Sequence, residues 1–275
     1  MTESTESYVQ TQRTGRVLEI TMSRPPVNAI NRAFSRELYQ TFLDFQNDPE
    51  LSCAVITGIG EKIFSAGWDL KEVAEGGMDP AMDNDPIKGF GPGGFAGITE
   101  FWDLKKPVIA AVNGAAIGGG FEVVLSCDMI VMSENGWFSL PEMQRGFLAD
   151  AGATQKLPRL IPMNVAKELL LTGRPMDAEE ALKWGLVNRV VPADQLREAA
   201  LELAAETAKG APLALQGFKE VMVYIGGMST PEAMRRVKPG GDNELDIYNR
   251  ITDSEDALEG PRAFAEKREP VWKGR

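Results

Sequence analysis

The glycine-rich segment at residues 113–122 reads Asn113-Gly114-Ala115-Ala116-Ile117-Gly118-Gly119-Gly120-Phe121-Glu122. The three consecutive glycines end an apolar run and precede residues that favour a helix, from Phe121 to Ser126. A glycine-rich turn that opens a helix leaves the first amide N–H groups unpaired, with the positive end of the helix dipole behind them. Such amides can stabilise an oxyanion that develops during a reaction. A tight turn that only lets the helix pack closely is the alternative interpretation.

Two further segments carry residues that could surround this turn. They read Phe64-Ser65-Ala66-Gly67-Trp68-Asp69-Leu70 and Ser139-Leu140-Pro141-Glu142. The small pair Ala66-Gly67 stands where a predicted strand gives way to a helix, so it could supply a second N–H group. Glu122 falls in the first turn of the predicted helix, and the apolar strand before Glu142 could bring that residue alongside.

Glu122 and Glu142 are the candidates for proton transfer. Two carboxyls that share a site with little water titrate as a pair, and the pKa of one of them is raised, which suits acid–base chemistry near neutral pH. Each residue also has a simpler interpretation, because Glu122 could complement a helix dipole and Glu142 could be a solvated loop acid. On these residues alone, both interpretations stay open.

The composition excludes several classes of function. The 275 residues include 29 Lys and Arg, 40 Asp and Glu and no His, for a net charge of −11. Such an acidic chain is a poor partner for nucleic acid or an anionic membrane. Without histidine there is no Ser-His or Cys-His nucleophile pair and no His-ligated metal site. Carboxylates are therefore the leading candidates for proton transfer.

The familiar nucleotide and hydrolase motifs are also absent from the sequence. Val123 stands where a dinucleotide-binding motif around Gly118 would need glycine, no phosphate-binding P-loop motif occurs, and Ser65 lacks the glycine that precedes a nucleophile elbow. Cys53 and Cys127 lie in apolar runs, which predicts free thiols. The polar N-terminus has no apolar signal core and no apolar run approaches the roughly 18 residues that span a bilayer, so we predict a cytoplasmic protein.

The order of predicted elements indicates an α/β fold. Apolar runs bounded by Gly, Pro or Asn predict strands at residues 18–22, 53–57, 108–112, 129–132 and 137–140, with a further strand-like run at 186–191. Helical spacing and capping residues predict helices after Asn31 and at residues 165–171, 178–184, 195–209, 212–224 and 253–268. Strands and helices therefore alternate through the first two-thirds, and helices follow. Residues 75–97 form a long aperiodic loop, which is either an insertion or a lid over a ligand.

The three segments quoted above resemble the crotonase (enoyl-CoA hydratase/isomerase) superfamily, whose members act on acyl-CoA thioesters. The stretch Arg24-Pro25-Pro26-Val27-Asn28-Ala29-Ile30 resembles the first CoA-contacting segment of that family. The resemblance extends from about Val17 to the final helix. It implies an α/β fold of the crotonase type, a β-β-α spiral core at residues 1–205 and a helical C-terminal region at 206–275 with oligomer contacts. It also implies a homotrimer, often stacked as a hexamer.

The resemblance assigns roles to individual residues. The backbone N–H groups of Ala66 and Gly119 are implied to form the oxyanion hole around the thioester carbonyl. Glu122 and Glu142 are implied to hold a water between them, with Glu122 as base and Glu142 as acid. The residues implied to contact substrate or CoA are Val27, Ala29, Ala66, Gly67, Trp68, Asp69 and Gly119. No metal or redox cofactor is implied, and coenzyme A enters as part of the substrate.

One segment departs from the pattern of many hydratases. Ala149 replaces a proline, and Asp150 and Ala153 replace glycines, at positions that would border the acyl end of the pocket. The aromatic residues Trp68 and Phe90, together with Phe95, could pack in the core or offer aromatic faces to a trimethylammonium group of a substrate. The resemblance implies hydration or dehydration of a short-chain enoyl-CoA, with carnitinyl-CoA as the first-choice substrate. An enoyl-CoA isomerase and a catalytically idle acyl-CoA-binding protein are the alternatives.

Overall fold

The computed structural model describes residues 7–76, 85, 87–241 and 243–275. The strands in these residues are β1 Val9–Thr14, β2 Val17–Met22, β3 Cys53–Gly58, β4 Ile63–Ser65, β5 Val108–Val112, β6 Ala115–Ile117, β7 Met129–Ser133, β8 Trp137–Ser139, β9 Met176–Asp177 and β10 Arg189–Val191. The helices are α1 Arg32–Asn47, α2 Leu70–Gly76, α3 Gly119–Val124, α4 Ala153–Leu160, α5 Met163–Thr172, α6 Ala178–Lys183, α7 Leu196–Ala208, α8 Pro212–Tyr224, α9 Thr230–Arg236, α10 Asp246–Ile251 and α11 Glu255–Glu266. Three 3₁₀ turns lie at Phe95–Gly97, Glu142–Arg145 and Ala193–Gln195.

The strands form two sheets. The larger has the order β1-β2-β3-β5-β7-β10 and the smaller the order β4-β6-β8-β9. In the larger sheet, β1 is antiparallel to β2 and the remaining neighbours are parallel. In the smaller sheet, β4, β6 and β8 are parallel and β9 is antiparallel. This mixed, mostly parallel arrangement confirms the predicted α/β fold class.

The larger sheet is covered on both faces, which explains why its central strands are apolar throughout. Along β5, Val108, Ala110 and Val112 belong to the main core, while Ile109 and Ala111 belong to a second core. Successive side chains of a strand point to opposite faces, so the alternation assigns one face to each core. Helix α7 covers the second face through Leu196, Ala200 and Ala204.

Helix α1 begins and packs as its sequence predicts. The Phe34 N–H donates to the Asn31 side-chain oxygen at 2.8 Å, which satisfies one of the unpaired amides at the helix start. The side chains at helical spacing are buried, namely those of Phe34, Leu38, Phe42 and Phe45.

The short helix α3 is fixed to the smaller sheet by an aromatic stack. The rings of Phe121 in α3 and Phe138 in β8 lie 4.2 Å apart between centroids and 5° from parallel. Both side chains are almost fully buried. Because Phe121 precedes Glu122, this stack sets the position of the carboxyl that the next residue carries.

Several elements were missed at the level of sequence. Strand β6 has three residues, too few for a periodic pattern, and helix α4 was also missed. The predicted change from strand to helix at Ala66-Gly67 is present, since β4 ends at Ser65 and α2 begins at Leu70, but α2 extends into the predicted 75–97 loop. Residues 77–84 and 86 of that loop lie outside the described residues, so its role as a lid stays a prediction.

The C-terminal part of the described chain is helical. Helix α8 packs on α10, where Gly217 faces the Ile251 side chain so closely that a Cβ on the glycine would lie 2.7 Å from Cδ1. The division into regions at residues 1–205 and 206–275 stays a prediction. Both cysteines are free, as predicted. Within the residues that the structure describes, no helix is long and apolar enough to cross a membrane.

The aromatic stack makes a testable contribution to stability. We expect Phe121→Ala to lower the free energy of unfolding by about 3–5 kcal/mol, because it empties a buried site and removes the partner of Phe138. Trp102→Ala is the control, since Trp102 is 62% exposed. Urea unfolding at fixed protein concentration measures both variants. Equal destabilisation by the two would contradict the role of the stack.

Candidate active site

The segment after β4 lies beside the segment that precedes α1. The Ile30 N–H donates to the Gly67 carbonyl at 2.7 Å, and the Asp69 N–H donates to the Ile30 carbonyl at 3.0 Å. These two bonds make a parallel bridge between Ile30 and Trp68. In a parallel bridge of this kind, the hydrogen bonds to Ile30 are made by the residues on either side of Trp68, namely the Gly67 carbonyl and the Asp69 N–H. The N–H of Trp68 itself therefore points away from Ile30.

The amide of Ala66 is engaged elsewhere. Its N–H donates to the Val27 carbonyl at 2.9 Å. This bond conflicts with the predicted oxyanion role of Ala66, because an amide that already donates to a carbonyl is not free for a substrate oxygen. The bond instead ties the segment after β4 to the segment that carries Val27.

The amides of Trp68 and Gly119 are neighbours. Gly119 is the first residue of α3, so its N–H has no acceptor within the helix. A Cβ on Gly119 would lie 3.4 Å from the Trp68 nitrogen, and a Cβ on Gly67 would lie 2.7 Å from the Gly119 nitrogen. Within the described part of the chain, neither amide donates a hydrogen bond. Two unpaired N–H groups that lie close together could donate to the same oxygen, which is what an oxyanion hole requires.

Glu122 is buried and its carboxyl is held by one backbone amide. Only 4% of the residue is exposed, and its Oε1 accepts a hydrogen bond from the Ala153 N–H at 3.0 Å. Burial above all, together with the charges of Glu142 and Asp150, raises the pKa of Glu122 to about 7, although the Ala153 amide and Lys156 lower it. The carboxyl can therefore take up or release a proton near neutral pH.

Glu142 lies against the turn that opens α3. A Cβ on Gly118 would come within 2.6 Å of Glu142 Oε1, so only glycine fits there, and its φ of 55° also favours glycine. Glu142 Oε2 is shielded from solvent and has no hydrogen-bond partner among the residues described here. Burial raises the pKa of Glu142 as well, with a contribution from Asp150. Glu142 is therefore a site carboxyl and not a solvated loop acid.

Aromatic rings lie next to these groups. The Trp68 ring is 6.1 Å from the Phe90 ring and 6.0 Å from the Phe147 ring, between centroids. Phe95 is 5.3 Å from Phe90, and its ring touches Gly119, since a Cβ there would lie 2.6 Å from Cε1. We call Trp68, Phe90, Phe95 and Phe147 the aromatic cluster. Phe147 was not identified from the sequence, because its loop shows no pattern that places it beside Trp68.

Asp69 organises the segments around the site. Its Oδ2 lies 2.7 Å from Arg24 Nη1, and its Oδ1 accepts from the Lys71 N–H at 3.1 Å. Burial alone would raise the pKa of Asp69, but the hydrogen bonds from Arg24 and Lys71 outweigh it and hold the pKa below its usual value. The carboxylate is thus occupied within the protein. The substrate or CoA contacts of Val27, Ala29, Ala66, Gly67, Trp68, Asp69 and Gly119 stay predictions.

The raised pKa of Glu122 predicts a pH-dependent effect on stability. The folded state binds this proton more tightly than the unfolded state, so Glu122 costs stability as the pH rises from 4.5 to about 7. Glu122→Gln removes that cost and keeps an oxygen for the Ala153 amide. We expect the variant to be more stable than the wild type by about 3 kcal/mol at pH 8, and by less than about 1 kcal/mol at pH 5. Urea unfolding at both pH values tests this, and an equal difference at the two would contradict it.

Comparisons with known proteins identify the family of this chain. The chain is 53% identical over 263 residues to a carnitinyl-CoA dehydratase from Citrobacter koseri, a match that covers 96% of this chain and 97% of the relative. The carnitinyl-CoA dehydratase of Salmonella typhimurium is also 53% identical over 263 residues, a match that covers 96% of this chain and 97% of the relative.

The crystal structure of an enoyl-CoA hydratase from Mycobacterium tuberculosis superposes with a TM-score of 0.86 at 35% identity, covering 98% of this chain and 100% of that one. A probable enoyl-CoA hydratase/isomerase from Mycobacterium abscessus gives a TM-score of 0.84 at 39% identity, with the same coverage of 98% and 100%. Residues 12–275 match the enoyl-CoA hydratase/isomerase family, to which this chain belongs.

Proposed function

We propose that this protein catalyses the reversible hydration of an enoyl-CoA thioester, with crotonobetainyl-CoA as the unsaturated substrate and carnitinyl-CoA as its hydrated form. The observation that carries the proposal is the meeting of two shielded carboxyls of raised pKa, Glu122 and Glu142, with two unpaired amides. The names of the similar proteins support the choice of acyl group.

In this proposal the thioester oxygen accepts hydrogen bonds from the N–H groups of Trp68 and Gly119. When water adds to the β-carbon, negative charge moves onto that oxygen, and fixed amides stabilise it without having to reorganise. Trp68 replaces Ala66 as the second donor, because the Ala66 amide already donates to Val27. The Gly119 amide has the added advantage of the helix N-terminus behind it.

The two carboxyls divide the proton transfers. A water held between them attacks the β-carbon as Glu122 takes one of its protons, and the carboxyl of Glu142 delivers a proton to the α-carbon. As the C=C π bond breaks, a C–O bond forms at the β-carbon and a C–H bond forms at the α-carbon, which leaves Glu122 protonated and Glu142 ionised. Proton exchange with water returns both carboxyls to their starting forms, and dehydration reverses each transfer. The Ala153 hydrogen bond favours the ionised form of Glu122, which supports its assignment as base. The proposed chemistry uses no metal or redox cofactor, and coenzyme A enters only within the substrate.

We further propose that the protein assembles as a homotrimer or a hexamer. The C-terminal region carries large apolar side chains that face solvent in the single chain. Among them Phe264 is 87% exposed, Leu258 68% and Val271 67%. Exposed apolar side chains of this size support an interface with further copies of the chain.

The glutamate roles predict the behaviour of isosteric variants. We expect Glu122→Gln and Glu142→Gln each to lower kcat for crotonobetainyl-CoA by at least about 10²-fold, because each removes one proton transfer. Loss of the conjugated thioester absorbance measures turnover, and calorimetric titration with carnitinyl-CoA measures binding, which both variants are expected to retain.

The outcome of that experiment separates the alternatives. Turnover of crotonyl-CoA alone would keep the mechanism and contradict the acyl group. Hydration that survives in Glu142→Gln would contradict a two-carboxyl mechanism. Binding of acyl-CoA by the wild type without turnover would identify a binding protein, and migration of a double bond without water addition would identify an isomerase.

The oxyanion hole is tested by a matched pair of glycine variants. A Cβ on Gly67 would lie 2.7 Å from the Gly119 nitrogen, whereas a Cβ on Gly60 would meet no heavy atom within 4 Å. Both glycines have a positive φ, 81° and 80°, so both variants carry the same kind of backbone strain. We expect Gly67→Ala to lower kcat about 10²–10³-fold and Gly60→Ala to leave kcat within about twofold. Equal losses in the two variants would contradict the proposed donors.

A further inference from the structure

Asp150 lies midway along the loop that joins the two carboxyls of the site. The loop starts where the Phe147 N–H donates to the Glu142 carbonyl at 3.0 Å, and ends where the Ala153 N–H donates to Glu122 Oε1 at 3.0 Å. Between these fixed points, the Asp150 N–H donates to the Leu148 carbonyl at 3.0 Å and the Asp150 side chain is exposed. The backbone therefore holds Asp150 at the rim of the site.

The Asp150 carboxylate adds a third negative charge beside Glu122 and Glu142. Its charge raises the pKa of both glutamates. Arg145 opposes this at Glu142 and Lys156 at Glu122, but Lys156 Nζ is engaged with Ser126 Oγ at 2.7 Å. In the described residues, the Asp150 carboxylate has neither an ion pair nor a hydrogen bond. Negative charges placed near one another repel, so a cation bound among them is stabilised.

The aromatic cluster supplies a second, independent element of cation recognition. The ring of Phe147 contacts Trp68, whose ring also contacts Phe90. The faces of aromatic rings attract cations, above all a quaternary ammonium, which has no N–H to donate. Phe147 belongs to the same loop as Asp150, so the loop between Glu142 and the Glu122 carboxyl supplies both an aromatic ring and a carboxylate.

We propose that Asp150 and the aromatic cluster form the subsite for a cationic group on the γ-carbon of the acyl chain. The inference rests on the proposed function and extends it, since Asp150 becomes the residue that sets the preference for a cationic acyl group. A trimethylammonium nitrogen on the γ-carbon is two bonds from the β-carbon that Glu122 and Glu142 act on. It must therefore lie near their carboxyls, where the exposed carboxylate of Asp150 offsets its charge.

Two substrates of the same shape isolate the effect of charge. Crotonobetainyl-CoA carries the quaternary nitrogen, and 5,5-dimethylhex-2-enoyl-CoA carries a carbon atom in its place. The quantity measured is the ratio of kcat/KM for the cationic substrate to that for the neutral one. We expect the wild type to favour the cationic substrate and Asp150→Asn to lower the ratio at least tenfold, mainly through KM.

Two further variants complete the test. Phe147→Leu is expected to lower the same ratio about threefold or more, because it removes one aromatic face. Asp194→Asn is the control for charge, since Asp194 is an exposed carboxylate in the 3₁₀ turn before α7, and we expect it to leave the ratio unchanged. Circular dichroism establishes that each variant is folded.

The outcomes distinguish failure of this inference from failure of the proposed function. A wild type that does not hydrate crotonobetainyl-CoA would contradict the proposed function itself. A wild type that prefers the cationic substrate, with the same ratio in Asp150→Asn, would contradict the inference and leave the function standing. An equal loss on both substrates in folded Asp150→Asn would assign Asp150 to the reaction and not to recognition, which also contradicts the inference.

Discussion

Direct contact between two backbone segments is the constraint on which the site depends. The turn at residues 118–120 packs against the segment after β4 so closely that a Cβ on Gly120 would lie 2.3 Å from the Ser65 carbonyl oxygen. On the other side, a Cβ on Gly67 would lie 2.6 Å from the Ile117 carbonyl oxygen. No side chain fits between the segments, so the amides of Trp68 and Gly119 can approach one another. The glycines therefore do more than permit a turn, because they let backbone donors from two distant segments meet.

The same contact shapes the electrostatics of the carboxyls. Helix α3 begins at the glycine turn, and the stack of Phe121 on Phe138 fixes it to the main core. Glu122, the next residue, is therefore held on the side of the site that faces the core. Burial there raises its pKa to about 7, into the range where a carboxyl exchanges protons at neutral pH. A second helix start, that of α4 at Ala153, presents its first free N–H to the Glu122 carboxyl. Two helix N-termini thus serve one candidate site, with one directed at the proposed oxyanion position and the other at the carboxyl of Glu122, the proposed base.

The sequence could predict the features that depend on residues close to one another along the chain. The cap at Asn31, the apolar strands β3 and β5 and the helix α8 are encoded by local spacing, and the structure has all of them. The three-residue strand β6 was missed because pairing between distant segments forms it. The choice between Ala66 and Trp68 as amide donor is of the same kind, since it depends on the bridge from Trp68 to Ile30. The side chains of residues 64–70 form no pattern that shows which of their backbone N–H groups donates a hydrogen bond to a distant part of the chain.

The departure at residues 149–153 follows from what each position contributes. Glu122 uses only the backbone N–H of Ala153, so a methyl group in place of a hydrogen at that residue leaves the hydrogen bond intact. Gly152 has a φ of 129°, which favours glycine, and glycine is retained there. Asp150 is exposed, so a charge can enter at this position without breaking the hydrogen bond from the Ala153 amide to Glu122, and its effect on the two glutamates is to raise their pKa values. The loop thus has two separate roles, because its backbone N–H at Ala153 binds the Glu122 carboxyl while the Asp150 side chain carries the proposed preference for the acyl group.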